Sequence, residues 1–181
     1  MGKKRFFVFD FDSTLTQVEA LDVLAEISLA NKPAEERSKI VKQIQEITDL
    51  GIDGEISFTD SLRRRIDLLK AHKNDLEALI TLLKGKISKS IERNKEFFID
   101  HANQIYVISA GFKEFIIPIV ADYNIAPERV YANTFEFDAQ GNIIGFDTNN
   151  YLSQHNGKIA CLKAMNLPGK RISSVINLDP V

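Results

Sequence analysis

The stretch that decides the fold of this chain is Phe6-Phe7-Val8-Phe9-Asp10-Phe11-Asp12-Ser13-Thr14-Leu15. Its apolar first half predicts a buried strand, and two aspartates stand where that strand ends. A buried strand does not normally finish in unpaired carboxylates, because an uncompensated charge in the interior is costly. In open α/β sheets, ligands bind at the carboxyl ends of the strands. The pattern therefore predicts a reactive site at Asp10 and Asp12.

Two carboxylates followed by hydroxyl residues suit the transfer of a phosphoryl group. This reaction needs a nucleophile, neutralisation of the phosphate oxygens and a proton for the leaving oxygen. Asp10 is suited to attack phosphorus, and Asp12 to protonate the leaving oxygen and later to accept a proton from water. Mg²⁺, which prefers oxygen ligands and usually shares the substrate phosphate, would offset the repulsion between the two acids.

The composition of the 181 residues is that of an ordinary globular chain, with 44% hydrophobic and 27% charged residues. The formal net charge of −2 offers no electrostatic argument for a nucleic-acid or membrane partner. No apolar stretch is long enough to span a bilayer. Cys161 is the only cysteine, so no intrachain disulfide forms, and we expect a buried, inert thiol. The expected compartment is the cytoplasm.

Helical patterns replace the strand pattern after Leu15 and continue to Gly85, with no convincing strand among them. From residue 88, strand and helix patterns alternate. The expected elements are helices around residues 18–27, 40–47, 59–69, 76–83, 87–101, 112–122 and 156–166, strands at 104–108, 130–135 and 171–178, and a hairpin turning at 139–142. This order predicts a parallel sheet flanked by helices, with a core of residues 1–15 and 88–181 and an inserted helical cap of residues 16–87.

Two later segments carry groups that suit a phosphate. Ser109 is predicted to end a strand, so that its hydroxyl and the amides of a following helix start, including those of Ala110 and Gly111, could hold a phosphate oxygen. Lys158 opens a predicted helix, where the macrodipole mildly disfavours a cation. Its position therefore invites a functional explanation.

The Asp10 to Leu15 string resembles the first motif of the haloacid dehalogenase-like (HAD) phosphatase superfamily, in particular its phosphoserine phosphatase branch. The Ser109 and Lys158 segments match the second and third motifs of that family in order. The resemblance implies a Rossmann-type α/β core with a helical cap. It also implies Mg²⁺-dependent hydrolysis of a phosphomonoester through an aspartyl-phosphate on Asp10.

The resemblance assigns roles to single residues. Asp10 would bind the metal through its side chain, and Asp12 through its backbone carbonyl in addition to its acid–base work. Ser109, Gly111 and Lys158 would bind the phosphate, together with Ala110. Ala110 stands where the branch usually has glycine, so its added methyl group would alter the fit of the substrate.

Glu19 and Arg65 match the residues with which that branch reads its substrate. Glu19, expected one turn into the first cap helix, would bind the amino group, and Arg65 the carboxylate. The implied substrate is a small phosphorylated metabolite, most simply phosphoserine on the way to L-serine. Phosphohomoserine, phosphoethanolamine and phosphocholine stay open as substrates, although Arg65 argues against the last two. A homodimer also stays open.

The resemblance stops before the fourth family motif, a Gly-Asp followed by another Asp. The sequence there is Asn177-Leu178-Asp179-Pro180-Val181. We therefore expect a core truncated at its C-terminal part, in a shortened chain or a divergent homologue, with Asp179 as a candidate replacement ligand. One alternative is a catalytically impaired relative that binds a phosphorylated ligand without turnover. A phospho-accepting receiver domain is another, but receivers lack a long helical insertion.

Overall fold

The computed structural model describes residues 5–165 and the backbone of residues 172–175. Four parallel strands form the central sheet: β1 (Phe6–Phe9), β2 (Ile105–Phe112), β3 (Val130–Asn133) and β6 (Ile172–Val175). Their order across the sheet is β3-β2-β1-β6, and a separate antiparallel hairpin consists of β4 (Phe135–Phe137) and β5 (Ile143–Phe146). The apolar run of β1 places it between two neighbours, as strands covered on both faces require. The predicted α/β fold with a parallel sheet is confirmed.

Eight helices surround the sheet in the part of the chain that the structure describes. They are α1 (Ala20–Ser28), α2 (Ala34–Ile52), α3 (Phe58–Leu69), α4 (Asp75–Lys84), α5 (Lys89–Arg93), α6 (Lys95–Asp100), α7 (Lys113–Val120) and α8 (Gly157–Ala164). In the sequence, the first four helices follow β1 and precede the rest of the core, so they correspond to the predicted helical insertion. Ser57 caps α3 by accepting a hydrogen bond from the backbone N–H of Asp60 at 3.1 Å.

Three predicted elements differ from those in the structure. The single helix expected over residues 87–101 is split at Asn94, whose side-chain amide donates to the Ser90 carbonyl at 2.7 Å and whose backbone is not helical. The strand expected over residues 130–135 ends at Asn133, and Phe135 begins the separate hairpin. Ser109 does not end its strand, because β2 continues to Phe112 and the helix begins only at Lys113.

The extension of β2 has a local cause. Between Ile108 and Phe112 the pairing of β2 with β3 shifts register. Within this irregular stretch the Ser109 hydroxyl oxygen accepts a hydrogen bond from the Gly111 N–H at 2.9 Å. A side chain that binds its own backbone in this way competes with the regular ladder of the sheet. Ala110 and Gly111, which were predicted to belong to a helix start, therefore lie in an irregular stretch within the strand.

One continuous hydrophobic cluster joins the cap to one face of the sheet. It includes Leu24, Ile44 and Leu79 from the cap and Phe112 and Phe115 from the core, all 0% exposed. A smaller cluster on β1 and β2 contains Val8, Ile108, Leu152 and Cys161. Cys161 is buried as predicted, and its burial raises the pKa of the thiol.

Two chain crossings connect the cap to the core. Thr16 and Ile87 form an antiparallel bridge, and the backbone N–H of Gln17 donates to the Lys86 carbonyl at 2.8 Å. The backbone N–H of Ser88 donates to the Leu15 carbonyl at 2.9 Å. These crossings lie at the boundaries predicted for the cap, and the division into cap and core stays a prediction.

No helix in the described ranges, 5–165 and 172–175, is long and apolar enough to cross a membrane. Asp179, the end of the predicted last strand and the predicted truncation of the core lie outside the residues that the structure describes.

Candidate functional site

The two aspartates after β1 are held by the backbone that follows them. One carboxylate oxygen of Asp10 accepts a hydrogen bond from the Phe11 N–H at 2.8 Å. Asp12 is extended, and Ser13 then adopts a left-handed backbone with φ of 53°. This conformation, unusual for a residue with a side chain, reverses the chain. As a result, the Asp12 carboxylate accepts a hydrogen bond from the Ala20 N–H at the start of α1, at 2.9 Å.

The neighbouring strand, β2, brings Ser109 and the irregular stretch that follows it to the aspartates. Phe9 pairs with Val107 in the parallel register of β1 and β2, so Asp10 and Ser109 emerge at the same edge of the sheet. A Cβ atom on Gly111 would lie 3.0 Å from Asp12 Oδ2 and 3.1 Å from Ser109 Oγ. The close approach of these two oxygens therefore favours glycine at this position.

The start of α8 delivers Lys158 to the same place. Asn156 has a left-handed backbone, and Gly157 begins the helix so close to Tyr151 that a Cβ would lie 2.0 Å from the Tyr151 carbonyl oxygen. With the helix in this position, the Lys158 ammonium donates to the second carboxylate oxygen of Asp10. The tertiary structure thus pairs the predicted cation with the predicted nucleophile across 148 positions of sequence.

The cap contributes one acidic and one basic group. Glu19 accepts a hydrogen bond from the Ser13 hydroxyl at 2.7 Å and precedes α1 as its N-cap residue, rather than lying one turn inside the helix as predicted. The prediction was wrong because the chain bends at Gln17 and Val18 and α1 begins only at Ala20. Arg65 in α3 is 9% exposed, and its Nε has no hydrogen-bond partner among the described residues.

Burial and neighbouring charges perturb three groups of this site. Burial, followed by repulsion from Glu19 and Asp10, raises the pKa of Asp12 to about 7, although the Ala20 N–H and Lys158 act in the opposite direction. Burial and Glu19 also raise the pKa of Asp22, and burial lowers the pKa of Arg65 against the pull of Asp22, Glu19 and Asp12. Near neutral pH, Asp12 is therefore able to carry a proton.

All eight residues selected from the sequence line one cavity of about 300 Å³. They are Asp10, Asp12, Glu19, Arg65, Ser109, Ala110, Gly111 and Lys158. Asp10, Asp12 and Lys158 come from the core edge, and Glu19 and Arg65 come from the cap. Ile52 and Phe58 also line a neighbouring, wider chamber of about 710 Å³, which lies between the cap and the start of α8.

The sequence analysis missed further residues around the cavity. Thr48 and Ser61 line it, and their hydroxyls already donate to the carbonyls of Ile44 and Ile47 at 2.9 Å each. Ser61 stands four positions before Arg65 and therefore lies on the same face of α3. This spacing was a sequence signal from which Ser61 could have been predicted at the site. Asn133 is fully buried, and its amide donates to the carbonyls of Ala110 at 2.8 Å and Leu152 at 3.2 Å, which ties two loops of the site together.

The donor set at the aspartates fits Mg²⁺. The Asp10 carboxylate and the Asp12 backbone carbonyl are hard oxygen donors, and Mg²⁺ in proteins typically uses one or two carboxylates, several waters and a substrate phosphate. Among residues 5–165, no group of three or more His, Cys, Asp or Glu side chains stands together as a metal cage.

Comparisons with known proteins agree with this geometry. The chain matches the family described as HAD, haloacid dehalogenase-like hydrolase, over residues 7–176. It is 29% identical over 150 residues to the chloroplastic phosphoserine phosphatase of Arabidopsis thaliana, covering 83% of this chain and 48% of that protein. It is 28% identical over 170 residues to phosphoserine phosphatase of Drosophila melanogaster, covering 92% and 59%.

A solved structure is similar over most of its length. The phosphoserine phosphohydrolase-like protein from Francisella tularensis superposes with a TM-score of 0.76 at 27% identity, covering 94% of this chain and 76% of that one. The chain spans about half the length of the curated relatives it matches, 48% and 59% of the two named above. Since the family match extends over nearly the whole sequence, this chain belongs to the haloacid dehalogenase-like hydrolase family.

Proposed function

We propose that this protein hydrolyses a small phosphomonoester with the help of Mg²⁺, through an aspartyl-phosphate on Asp10, and that its substrate is phosphoserine or a similar phosphorylated amino acid. The observation that carries this proposal is the cavity of about 300 Å³ in which the predicted residues meet. The core contributes the proposed nucleophile Asp10, the proposed acid Asp12, the hydroxyl of Ser109 and the ammonium group of Lys158. The cap contributes Arg65, which would bind a carboxylate.

The first step would transfer the phosphoryl group to the protein. The free electron pair of an Asp10 carboxylate oxygen attacks phosphorus, and the bond from phosphorus to the ester oxygen breaks. Asp12 gives its proton to that oxygen, so that the alcohol leaves neutral. Lys158 already contacts Asp10, and it is placed to offset the negative charge that gathers there as the phosphate approaches.

The second step would regenerate the free carboxylate. Asp12, now ionised, accepts a proton from a water molecule, and the water oxygen attacks the phosphorus of the aspartyl-phosphate. The bond between phosphorus and the Asp10 oxygen breaks, which releases inorganic phosphate. A pKa of about 7 suits Asp12 to both halves of this cycle, because the group gains and loses its proton readily near neutral pH.

Magnesium has a defined place in this proposal. The Asp10 carboxylate and the Asp12 carbonyl would hold the ion, which when bound supplies positive charge to the phosphate oxygens and offsets the repulsion between phosphate and carboxylates. The Ser109 hydroxyl, whose oxygen accepts the Gly111 N–H, would donate its own proton to one of the remaining phosphate oxygens. Gly111 is suited to this position because its backbone comes close to the reacting group without a side chain.

The cap residues support an amino acid as the leaving alcohol. Arg65 is buried, and its Nε has no partner within the part of the chain that the structure describes. A planar guanidinium is the group that best binds a carboxylate through two hydrogen bonds. Glu19 offers a carboxylate to an ammonium group on the same side of the cavity. Phosphoserine carries both groups, and its hydrolysis would yield L-serine.

The test is release of inorganic phosphate from phosphoserine by the purified chain with Mg²⁺, beside the variant Asp10→Asn and a matched control, Asp100→Asn, at an exposed helix position. We expect turnover in the wild type and in the control, and none in Asp10→Asn. Loss of turnover when EDTA removes divalent cations would support the metal requirement.

Calorimetric titration with beryllofluoride, a phosphoryl mimic, separates the proposal from the alternative of binding without turnover. Metal-dependent binding that is lost in Asp10→Asn, with no hydrolysis of any phosphomonoester, would favour a ligand-binding role. Absence of both binding and hydrolysis would refute a phosphoryl site at Asp10.

A further inference from the structure

A hydrogen bond joins the cap to the core close to the residues that line the two cavities. Thr59, the second residue of α3, donates its hydroxyl proton to the Ser153 carbonyl at 2.6 Å. The same hydroxyl oxygen lies 3.2 Å from Gln154 Oε1. Both partners belong to the core segment directly before Lys158, so this contact joins cap and core beside the candidate site.

The core end of this contact is rigidly held. Residues Tyr151–Ser153 form a 3₁₀ turn, and the Asn150 side chain accepts a hydrogen bond from the Leu152 N–H at 3.0 Å. The Asn150 amide also donates to the Ala132 carbonyl at 2.9 Å, which ties the turn to β3. Ser153 is fully buried, and its hydroxyl donates to the Asn150 carbonyl at 2.8 Å. The acceptor of the Thr59 hydroxyl is therefore fixed relative to the sheet.

The same turn supports Lys158. The first residue of α8, Gly157, lies so close to Tyr151 that a Cβ would be 2.0 Å from its carbonyl oxygen. The helix start is therefore packed tightly against the turn. The helix that carries Lys158 thus rests on the segment that Thr59 binds.

The cap end of the contact carries the proposed substrate reader. Thr59 and Arg65 lie on the same helix, α3, and helices transmit position along their length because their backbone is fully hydrogen-bonded. The neighbouring residues Ser57 and Phe58 line the wide chamber opposite Gln154 and Lys158. The hydroxyl contact therefore bridges the two walls of the cleft.

We propose that Thr59 is a positioning residue that sets the distance between the Arg65 guanidinium on the cap and the Lys158 and Asp10 pair on the core. This proposal rests on the proposed function. The core binds the phosphate of a phosphorylated amino acid and the cap binds its carboxylate. The Thr59 hydroxyl holds cap and core at the separation that one small substrate spans. A substrate that is bound through its phosphate alone does not depend on this separation.

Kinetics of Thr59→Val test the proposal, since valine keeps the shape of threonine and removes the hydroxyl. We expect KM for phosphoserine to rise by about three- to tenfold, the effect of losing one hydrogen bond, with little change in kcat. The KM for p-nitrophenyl phosphate, which has no amino-acid part, should not change. Thr59→Ser, which retains the hydroxyl, should restore the wild-type KM.

The matched control is Thr81→Val in α4. The Thr81 hydroxyl donates to the Glu77 carbonyl of its own helix at 2.9 Å, so this variant loses a similar bond in the cap without touching the core. It should leave KM for both esters unchanged. An equal rise of KM in both threonine variants, or for both esters in Thr59→Val, would overturn the proposal and leave a general loss of stability as the explanation.

Amide hydrogen exchange without any ligand gives a second readout that needs no activity. Loss of the contact should speed exchange in residues 51–58, the cap segment that faces α8, in Thr59→Val but not in Thr59→Ser or Thr81→Val. Unchanged exchange in Thr59→Val would overturn the proposal even in an active enzyme. Faster exchange in a protein that neither binds nor hydrolyses phosphoserine would support the contact as a tie between cap and core, and would place the failure in the proposed function.

Discussion

At the scale of single residues, the main result is the different surroundings of two aspartates that are two positions apart. Asp10 contacts the Lys158 ammonium and accepts the Phe11 N–H, which are partners for a carboxylate anion. Asp12 is packed beside Glu19, and its burial raises its pKa to about 7. Because their surroundings differ in this way, Asp10 is suited to a role as a charged carboxylate and Asp12 to proton transfer.

The raised pKa of Asp12 predicts how pH affects stability. In the unfolded chain an aspartate titrates near 3.8, whereas the folded protein holds the proton of Asp12 up to about pH 7. The folded state therefore binds more protons between these values, and its free energy of unfolding falls as pH rises through them. In EDTA, urea denaturation from pH 4.5 to 8 should show this loss in the wild type relative to Asp12→Asn. Parallel curves for the two proteins would contradict the prediction.

Gly111 provides a second prediction for a single residue. Gly111→Ala would place a methyl group 3.0 Å from Asp12 Oδ2 and 3.1 Å from Ser109 Oγ, which crowds the atoms that would surround a phosphate. Overpacking of this kind costs about 1–3 kcal/mol, so we expect binding of inorganic phosphate to weaken about fivefold or more, measured by inhibition or calorimetry.

The control for this variant is Gly85→Ala, at the end of α4. There the added Cβ would meet the Leu82 carbonyl oxygen at an ordinary distance of 3.4 Å. Phosphate binding should not change in this protein. Equal phosphate affinity in Gly111→Ala and the wild type would show that the loop tolerates a side chain and does not approach the ligand closely.

At the scale of elements, the helix caps show how far local sequence signals reach. Serine and asparagine are both common N-cap residues, and Ser57 caps α3 with a hydroxyl that accepts the Asp60 N–H. Asn74 stands at the same position before α4, but its backbone is already helical and its side chain makes no capping bond. At this helix start, the Asp75 carboxylate accepts the His72 N–H at 2.7 Å.

Helix α3 also carries a prediction about substrate choice. Arg65 is buried at the cavity, whereas Arg64 beside it is exposed. Lysine cannot form the paired hydrogen bonds of a guanidinium with a carboxylate. Arg65→Lys should therefore raise KM for phosphoserine about tenfold or more, the loss expected for charge-assisted bonds.

Two comparisons make the Arg65→Lys result specific. The KM for phosphoethanolamine, which lacks a carboxylate, should stay near its wild-type value in this variant. Arg64→Lys, the neighbouring substitution on the exposed side of the helix, should leave both substrates unaffected. An equal loss for both substrates in Arg65→Lys would argue that the arginine supports the fold of the cap and does not read the carboxylate.

At the scale of the whole molecule, the cap and the core share one hydrophobic cluster. Leu79 in α4 is 0% exposed, and α4 packs against α7 of the core. Leu79→Ala should lower the free energy of unfolding by about 2–5 kcal/mol through lost burial and a cavity. Because the cluster is continuous, amides of α3 and β2 should lose their protection at the same urea concentration, as in a single cooperative transition. Two separate transitions in hydrogen exchange would contradict this prediction.

The local patterns of the sequence determined much of this protein. An apolar run that ends in two aspartates predicted β1 and the site edge, and helical periodicity predicted the cap and its place in the chain. The α/β fold with its parallel sheet is confirmed, because it depends on interactions between near neighbours and on the rule that parallel strands present their carboxyl ends together. The cap boundaries and the roles of the site residues stay predictions, although all eight predicted site residues line one cavity. The family resemblance supplied the roles that spacing alone does not reveal.

Tertiary structure alone decided how those residues act on one another. The contact of Lys158 with Asp10 spans 148 positions, and the burial that raises the pKa of Asp12 arises when the cap folds over the core. The continuation of β2 past Ser109 and the bond from Thr59 to Ser153 likewise depend on packing between distant segments. Charge–charge and desolvation energies depend on distances and burial in space, and a linear sequence contains neither.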